Sequence, residues 1–446
     1  MSKILLIGAN HAGTAAANTI LDNYPGNKLT VVDRNDNISY LGCGTALWVG
    51  RQIPDSSGLF YSSADVLRAK GATVHMETEV KSIDFEGKNA VVCGKDGKDF
   101  SIAYDKLILA TGSLPIMPEL PGSNLGNIQS VKLFQDGQRA NELLDDPAIK
   151  TVAIVGAGYI GVELAEAVQR RGRKALLFEA ENTSLASYYD PWLTEDMDKI
   201  LADNGIELHF NERVQEFRDG NGTGKVSAIR TDKGEYEVDM VVMAIGFKPN
   251  SSIAADKLTT LKNGAIAVDL KQRTNREDVF AIGDCAAVFS NATRDWAYIA
   301  LATNAVRSGI VAAHNACGTA IESLGVQGSN GISIYGYNMV STGLSEKMAK
   351  KAGFAPLVTE FAALQKPAFM SNNHEVKLRI VYDAETRRVL GAQMASYENI
   401  SMGIHMFSLA IEEGVTIDKL KLLDIFFLPH FNQPYNYITM AALSAK

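Results

Sequence analysis

Sulfur is scarce and scattered in this chain. Its 446 residues hold four cysteines, Cys43, Cys93, Cys285 and Cys317, with no C-x-x-C pair and no metal-ligand spacing. Neither a paired-cysteine redox centre nor a metal site is therefore expected, and free thiols suit the reducing cytoplasm. Long apolar runs are missing too, since none reaches the ~20 residues that cross a bilayer. The run Ile4–Ile7 is too short for a signal segment and reads as a first strand. Excess positive charge is also lacking: 43 basic against 51 acidic side chains leave a net −8. That balance argues against nucleic acid and anionic membranes as partners. What is present is an ordinary soluble globular composition, 46% hydrophobic and 21% charged, long enough for several domains.

The N-terminus reads as strand Lys3–Ile7, a turn Gly8-Ala9-Asn10-His11-Ala12-Gly13, a helix through Ala15 to Leu21, and strand Lys28–Val32 ending in Asp33. This is the dinucleotide-binding βαβ unit. Backbone N–H groups at the helix start bind pyrophosphate, and an acid about 20 residues on accepts from ribose hydroxyls. Asn10 stands where the middle glycine of G-x-G-x-x-G is expected, and His11 either packs the helix start or takes part in chemistry. Residues 71–104 read as a hairpin insert, and Tyr104–Gly112 as a strand ending in Ala110-Thr111-Gly112.

The pattern then repeats. Strand Thr151–Val155, a complete Gly156-Ala157-Gly158-Tyr159-Ile160-Gly161, a helix from about Gly161 to Arg171, and strand Lys174–Phe178 ending in Glu179 form a second unit. Strand Val238–Ile245 closes it at Gly246. Two dinucleotide sites in one chain imply a relay, and a flavin with a nicotinamide nucleotide is the natural pair for passing a hydride. Glu179 favours NADH by repelling a 2′-phosphate, while Arg171, Arg173 and Lys174 keep NADPH open. Thr274–Asp284 reads as a strand that ends on an acid placed for a flavin ribityl hydroxyl, followed by a helix from about Ala297 to Cys317. From Ile332 on, paired strands at Val376–Tyr382 and Arg388–Met394 and helices near Met402–Glu413 and Ile417–Leu423 make a smaller α+β domain. Its aromatic tail, Phe426–Asn432, suits local core or a dimer surface.

One cysteine stands between two glycines in Ser39-Tyr40-Leu41-Gly42-Cys43-Gly44-Thr45, just before a helix start. The positive end of a helix dipole favours a thiolate, and a thiolate can cycle through sulfenic acid.

With these motifs the chain resembles the flavoprotein pyridine nucleotide–disulfide oxidoreductases over essentially its full length. Leu47 stands where disulfide reductases carry their second cysteine. Ser-Tyr-Leu-Gly-Cys-Gly is similar to the single-cysteine branch of NADH oxidase, NADH peroxidase and coenzyme A-disulfide reductase. Gly42–Trp48 looks most like the water-forming NADH oxidases. The resemblance implies an α/β fold of two Rossmann-like, glutathione-reductase-like dinucleotide-binding domains plus a C-terminal α+β dimerisation domain. Its implied boundaries are an FAD-binding domain in two parts (1–112 and 247–324), an NAD-binding domain (113–246) and a dimerisation domain (325–446).

The resemblance further implies a homodimer and tightly, non-covalently bound FAD. Around FAD it places Gly8, Asn10, His11, Ala12, Gly13, Asp33 and Cys43, then Ala110, Thr111, Gly112 and Lys132, and later Gly283, Asp284, Leu301, Ala302 and Thr303. Around NADH it places Gly156, Gly158, Tyr159, Ile160, Gly161, Glu179, Tyr188 and Gly246, with Tyr159 covering the flavin until NADH displaces it. The tail near Phe426 and His430 is expected at the partner's flavin and cysteine. Cys43 and His11 are the expected catalytic pair. The expected reaction reduces dioxygen to water with NADH; NADH peroxidase, coenzyme A-disulfide reductase and a flavin redox sensor are the alternatives.

Overall fold

The computed structural model describes residues 2–254 and 256–446. Lys3–Ile7 (β1), His11–Asn23 (α1) and Lys28–Val32 (β2) form the first right-handed crossover. Ile4, Leu5 and Leu6 are almost wholly buried, because a parallel strand with layers on both faces has no polar side to present. β1 pairs in parallel with β2, from Lys3 opposite Lys28 to Ile7 opposite Val32. On its other side β1 pairs with Lys106–Leu109. Thr73–His75 and Val279–Ala281 complete a five-stranded parallel sheet with β1 at its centre. The turn after β1 therefore opens at the point where strand order reverses, where α/β sheets bind ligands. A short helix, Thr45–Val49 (α2), lies beyond β2.

The second parallel sheet repeats the plan. Thr151–Val155 (β3), Tyr159–Arg170 (α3) and Lys174–Glu179 (β4) form the crossover. β3 is again central, between β4 and Met240–Met243, with Glu207–Phe210 and Ile128–Ser130 at the edges. A third sheet is antiparallel throughout, in the order Asn330–Ile334, Tyr337–Gly343, Val389–Ser396, Glu375–Asp383, Pro356–Leu364. Ser401–Glu412 and Tyr437–Leu443 pack on it and share its core.

Several elements differ from the sequence reading. The helix expected from Ala297 begins at Ala302, because Asp295–Ala297 pairs with Val288–Ser290 and Leu301 is extended. Residues 71–104 are more than a hairpin. Thr73–His75 joins the main sheet, and Glu79–Asp84, Asn89–Cys93 and Asp99–Ala103 form a three-stranded meander. The second crossover helix starts two residues before Gly161, at Tyr159.

The third domain is bolted to the second by buried charge. Arg379, 9% exposed, bonds Asp190 at 3.1 Å and also pairs with Glu346 and Glu360. Gln393 donates to Asp190 Oδ2 at 2.7 Å and accepts the Asp190 N–H at 2.8 Å. Arg379→Ala leaves Asp190 and Glu360 without their cation and Glu346 with only the more exposed Lys350, so it should cost about 3 kcal/mol or more, read as a large fall in melting temperature. Arg51→Ala, which removes an exposed pair with Asp145, should change stability by less than about 1 kcal/mol.

Candidate functional site

The two crossover turns are built alike. Gly8 has φ +98°, and a Cβ there would lie 2.2 Å from Ala110 O; a Cβ on Gly13 would lie 1.9 Å from Gly8 O. In the second turn Gly156 has φ +102°, and a Cβ on Gly161 would lie 1.8 Å from Gly156 O. Only glycine permits these approaches. The middle position behaves differently. Asn10 has φ −82° and Gly158 φ −74°, and nothing lies within 4 Å of a Cβ on Gly158. The scaffold itself does not demand glycine there, which explains why Asn10 is tolerated.

Neither Asn10 nor Gly158 caps its helix with a side chain, and neither α1 nor α3 has an acid in its first turn. The first N–H groups of both helices are thus left for an anion. Each turn is closed by the acid at the end of the second strand. Asp33 accepts the Ala9 N–H at 2.6 Å and the Asn35 N–H at 2.8 Å. Glu179 accepts the Ala157 N–H at 2.8 Å and the Glu181 N–H at 3.0 Å. Burial pushes the Asp33 carboxyl up, and its two backbone donors oppose that.

Further side chains converge beside the first turn. Asp284 sits in the tight turn Gly283–Cys285 after Val279–Ala281. It accepts from Ser113 Oγ at 2.8 Å and from Lys132 Nζ at 3.3 Å. Lys132 also lies 4.5 Å above the Phe247 ring. Asp284 and Lys132 both act electrostatically on His11, so the three share one site. Leu301 lines a small cavity with Gly283, Asp284 and Asn304, and Ala302 and Thr303 open the helix behind it. The Thr111 hydroxyl bonds Asn250 O, and Gly112 O accepts the Asn250 N–H at 2.9 Å. Sequence reasoning missed Tyr298, whose buried hydroxyl has no protein partner; burial, then Asp284, hold it protonated. An orphaned buried hydroxyl, an acid and a lysine beside an anion cradle fit a flavin dinucleotide.

Cys43 lies in the turn Gly42–Gly44 that runs straight into α2. The segment is braced from both nucleotide units, at the first turn and at the second unit's helix. The Ser39 N–H donates to Ala9 O at 3.2 Å, and a Cβ on Gly50 would come within 3.0 Å of Ala167 on α3. Tyr40, Phe60, Phe134 and Trp48 pack at 5.1 to 5.6 Å beneath it.

The expected thiolate preference is not found. Partial burial and then Glu163 push the thiol up, and the Cys43 and Gly44 N–H groups only partly offset them. A five-residue helix has few aligned peptides to oppose that. Nor does His11 touch the sulfur. Its Nδ1 bonds the Tyr61 hydroxyl at 3.0 Å, and burial pushes its pKa down. Glu163 was not anticipated either; burial and Glu166 raise it to about 7. Its signal in the sequence was its place one turn after Tyr159, on the fingerprint helix.

Around the second turn, Tyr159 opens α3 and is half-buried. Its ring lies 4.3 Å from that of Tyr188, and its hydroxyl is hydrogen-bonded to the Tyr189 hydroxyl at 2.9 Å and to Asn330 Oδ1 of the third domain. Ile160 is half-buried beside it, and Gly246 has φ +108°. Phe426 is 66% exposed on the third domain, its ring 6.0 Å from that of Phe431.

Residues 2–309 match the family model described as pyridine nucleotide-disulphide oxidoreductase, and residues 332–436 match its dimerisation domain. The chain is 56% identical over 446 residues to an NADH oxidase of Lactococcus lactis, covering all of both proteins. It is 56% identical over 459 residues to an NADH oxidase of Streptococcus pyogenes, again covering all of both. The solved structure of a water-forming NADH oxidase from Lactobacillus brevis bound to NADH superposes with a TM-score of 0.96. It is 36% identical, covering 100% of this chain and 98% of that one.

Because Glu163 carries charge above about pH 7 and repels a thiolate, Glu163→Gln should lower the Cys43 thiol pKa. Iodoacetamide should then modify Cys43 about threefold faster or more at pH 8, since each unit of pKa is tenfold in thiolate. The rate-against-pH curve of the two proteins checks it.

Proposed function

The chain belongs to the pyridine nucleotide-disulphide oxidoreductase family, and on that footing we propose that it is an FAD-dependent NADH oxidase that reduces dioxygen to water. The observation that carries this reading is a single cysteine segment braced against both dinucleotide units, at the first turn through Ser39–Ala9 and at the second unit's helix through Gly50–Ala167. Leu47 stands where a dithiol would place its second sulfur. The curated relatives named NADH oxidase and the water-forming structure support the same reading.

FAD, when bound, takes up a hydride from NADH and delivers the electron pair onward. The α1 N–H groups would hold its pyrophosphate and Asp33 its adenosine ribose. Asp284, Lys132 and the Tyr298 hydroxyl would meet its polar chain and ring. The α3 N–H groups and Glu179 would hold NADH in the same manner. Tyr159 would cover the ring and move as NADH enters, exchanging its contacts with Tyr189 and Asn330.

The Cys43 thiolate attacks one oxygen of hydrogen peroxide. The O–O bond breaks, hydroxide leaves and is protonated to water, and the sulfur becomes sulfenic acid. A second hydride equivalent from NADH, with a proton, returns the thiol and releases a second water. His11 stays neutral at pH 7. In the tautomer whose Nδ1 accepts from the Tyr61 hydroxyl, the His11 proton is on Nε2 and would be available to hydrogen-bond an oxygen. Overall, two NADH, two protons and one dioxygen give two NAD⁺ and two waters. With hydrogen peroxide as the starting oxidant, the same residues would serve an NADH peroxidase.

The third domain, matched to the family's dimerisation domain, would form a homodimer. Leu422, Phe426 and Tyr435 are 89%, 66% and 77% exposed there, an apolar surface suited to a second copy. We place the protein in the cytoplasm on its four free thiols. We divide the chain at 1–112 with 247–324 (FAD), 113–246 (NAD) and 325–446 (dimerisation), a division supported by the three separate sheets.

Pure protein should consume two NADH per dioxygen with no hydrogen peroxide released. Cys43→Ser should keep consuming NADH but release about one peroxide per NADH, because its hydroxyl cannot cycle through a sulfenic acid. A water-only product from Cys43→Ser would remove the cysteine from the reaction. Negligible dioxygen uptake by the unaltered protein would remove the oxidase reading and leave peroxide as the oxidant to try.

A further inference from the structure

We infer that Glu181 and Lys347 form a second checkpoint for the adenosine 2′ position, in which Lys347 is a phosphate-binding cation held in reserve by Glu181. The inference rests on the proposal that this site takes NADH, and it names residues beyond the strand-end acid that decide between NADH and NADPH.

The loop after β4 is pinned in place. The Glu181 N–H donates to Glu179 Oε1 at 3.0 Å, the Asn211 N–H to Glu181 O at 2.8 Å, and the Glu212 N–H to Glu179 O at 2.9 Å. Glu179 and Glu181 therefore rim one point, the one at which a strand-end acid meets the adenosine ribose. Glu179 alone repels a 2′-phosphate, and Glu181 adds a second negative charge two residues on.

The three basic residues singled out in the sequence are either distant or bound. Arg171 donates to Val49 O, Asn141 and Asp145, Arg173 to Leu144 O, and Lys174 pairs with Glu207 at 2.8 Å. All three stand at or before the start of β4, about 16 Å from Glu179 at ~3.3 Å per residue. These pairings remove the ground on which Arg171, Arg173 and Lys174 kept NADPH open.

Lys347 is placed differently. It comes from the third domain, on the short helix Glu346–Lys351, whose Glu346 N–H donates to Asp190 Oδ2 at 3.0 Å. Its Nζ lies 2.9 Å from Glu181 Oε2, with side chains 67% and 52% exposed. A pair that exposed is weak and easily exchanged. With Glu181 neutral, the ammonium is free to swing to a phosphate at the loop, for which lysine is a good partner.

The test measures binding separately from turnover. Purified holoenzyme and its Glu181→Gln, Lys347→Ala and double variants are titrated calorimetrically with adenosine 2′,5′-bisphosphate and with 5′-AMP. The kcat/KM ratio for NADPH over NADH is read beside them. Glu181→Gln should raise both the bisphosphate-to-AMP affinity ratio and the NADPH-to-NADH ratio about two- to fivefold, the scale of one exposed charge contact. Adding Lys347→Ala should abolish the gain. No gain in Glu181→Gln, or a gain that survives loss of Lys347, overturns the inference. Failure of the underlying NADH reading would look different: the unaltered protein would bind neither adenosine nucleotide.

Discussion

Two carboxylate contacts govern the arrangement of the whole molecule: Asp33 accepting the Ala9 N–H and Glu179 accepting the Ala157 N–H. Each contact ties the end of a second strand to the start of a glycine turn. Once tied, the turn can only fold with a bare backbone at Gly8 and Gly13, or at Gly156 and Gly161, because a Cβ would strike a carbonyl oxygen. The helix that follows must then begin without a cap, and its free N–H groups point to where the strand order reverses. Fold and ligand site are one consequence of this constraint. The scaffold leaves donors unsatisfied at the place where an anionic cofactor can satisfy them.

The cysteine is governed by a different balance. Its position is fixed by packing, from the Ser39–Ala9 hydrogen bond on one side and the Gly50–Ala167 contact on the other. Its charge state is not helped by that position. Partial burial and the Glu163 carboxylate hold the thiol neutral, and a five-residue helix opposes them only weakly. A neutral resting thiol is less open to chance oxidation. The proposed chemistry needs the thiolate only while peroxide is present.

These two cases show what could be read in the chain. The dinucleotide turns were legible because their determinants are local: glycine spacing, a strand-end acid, and apolar runs long enough for buried parallel strands. Even Asn10 makes sense, since its position carries an ordinary negative φ. Contacts that only the folded chain brings together were not legible. Glu163 acts on Cys43 across 120 positions of sequence, and Tyr298 meets Asp284 only after the chain turns through Val288–Ala297. The thiolate expectation failed for the same reason. It weighed the local helix start and could not see an acid arriving from the other nucleotide unit. The helix expected from Ala297 failed because a cross-strand partner at Val288–Ser290 outweighed an Ala-rich pattern.

The third domain has no glycine fingerprint, yet it reaches the nucleotide site at several points. Asn330 holds the Tyr159 hydroxyl, Lys347 holds Glu181, and Arg379 with Gln393 grips Asp190 at the start of the helix after Tyr189. The buried Arg379 cluster is costly to break, whereas the exposed Lys347 pair is cheap to break. Rigid and exchangeable contacts are thus divided across one interface. The charged cluster fixes where the third domain sits. The looser pairs, once so positioned, are the ones able to change partner as a nucleotide enters. A domain matched to a dimerisation role therefore also shapes which nucleotide the second turn accepts.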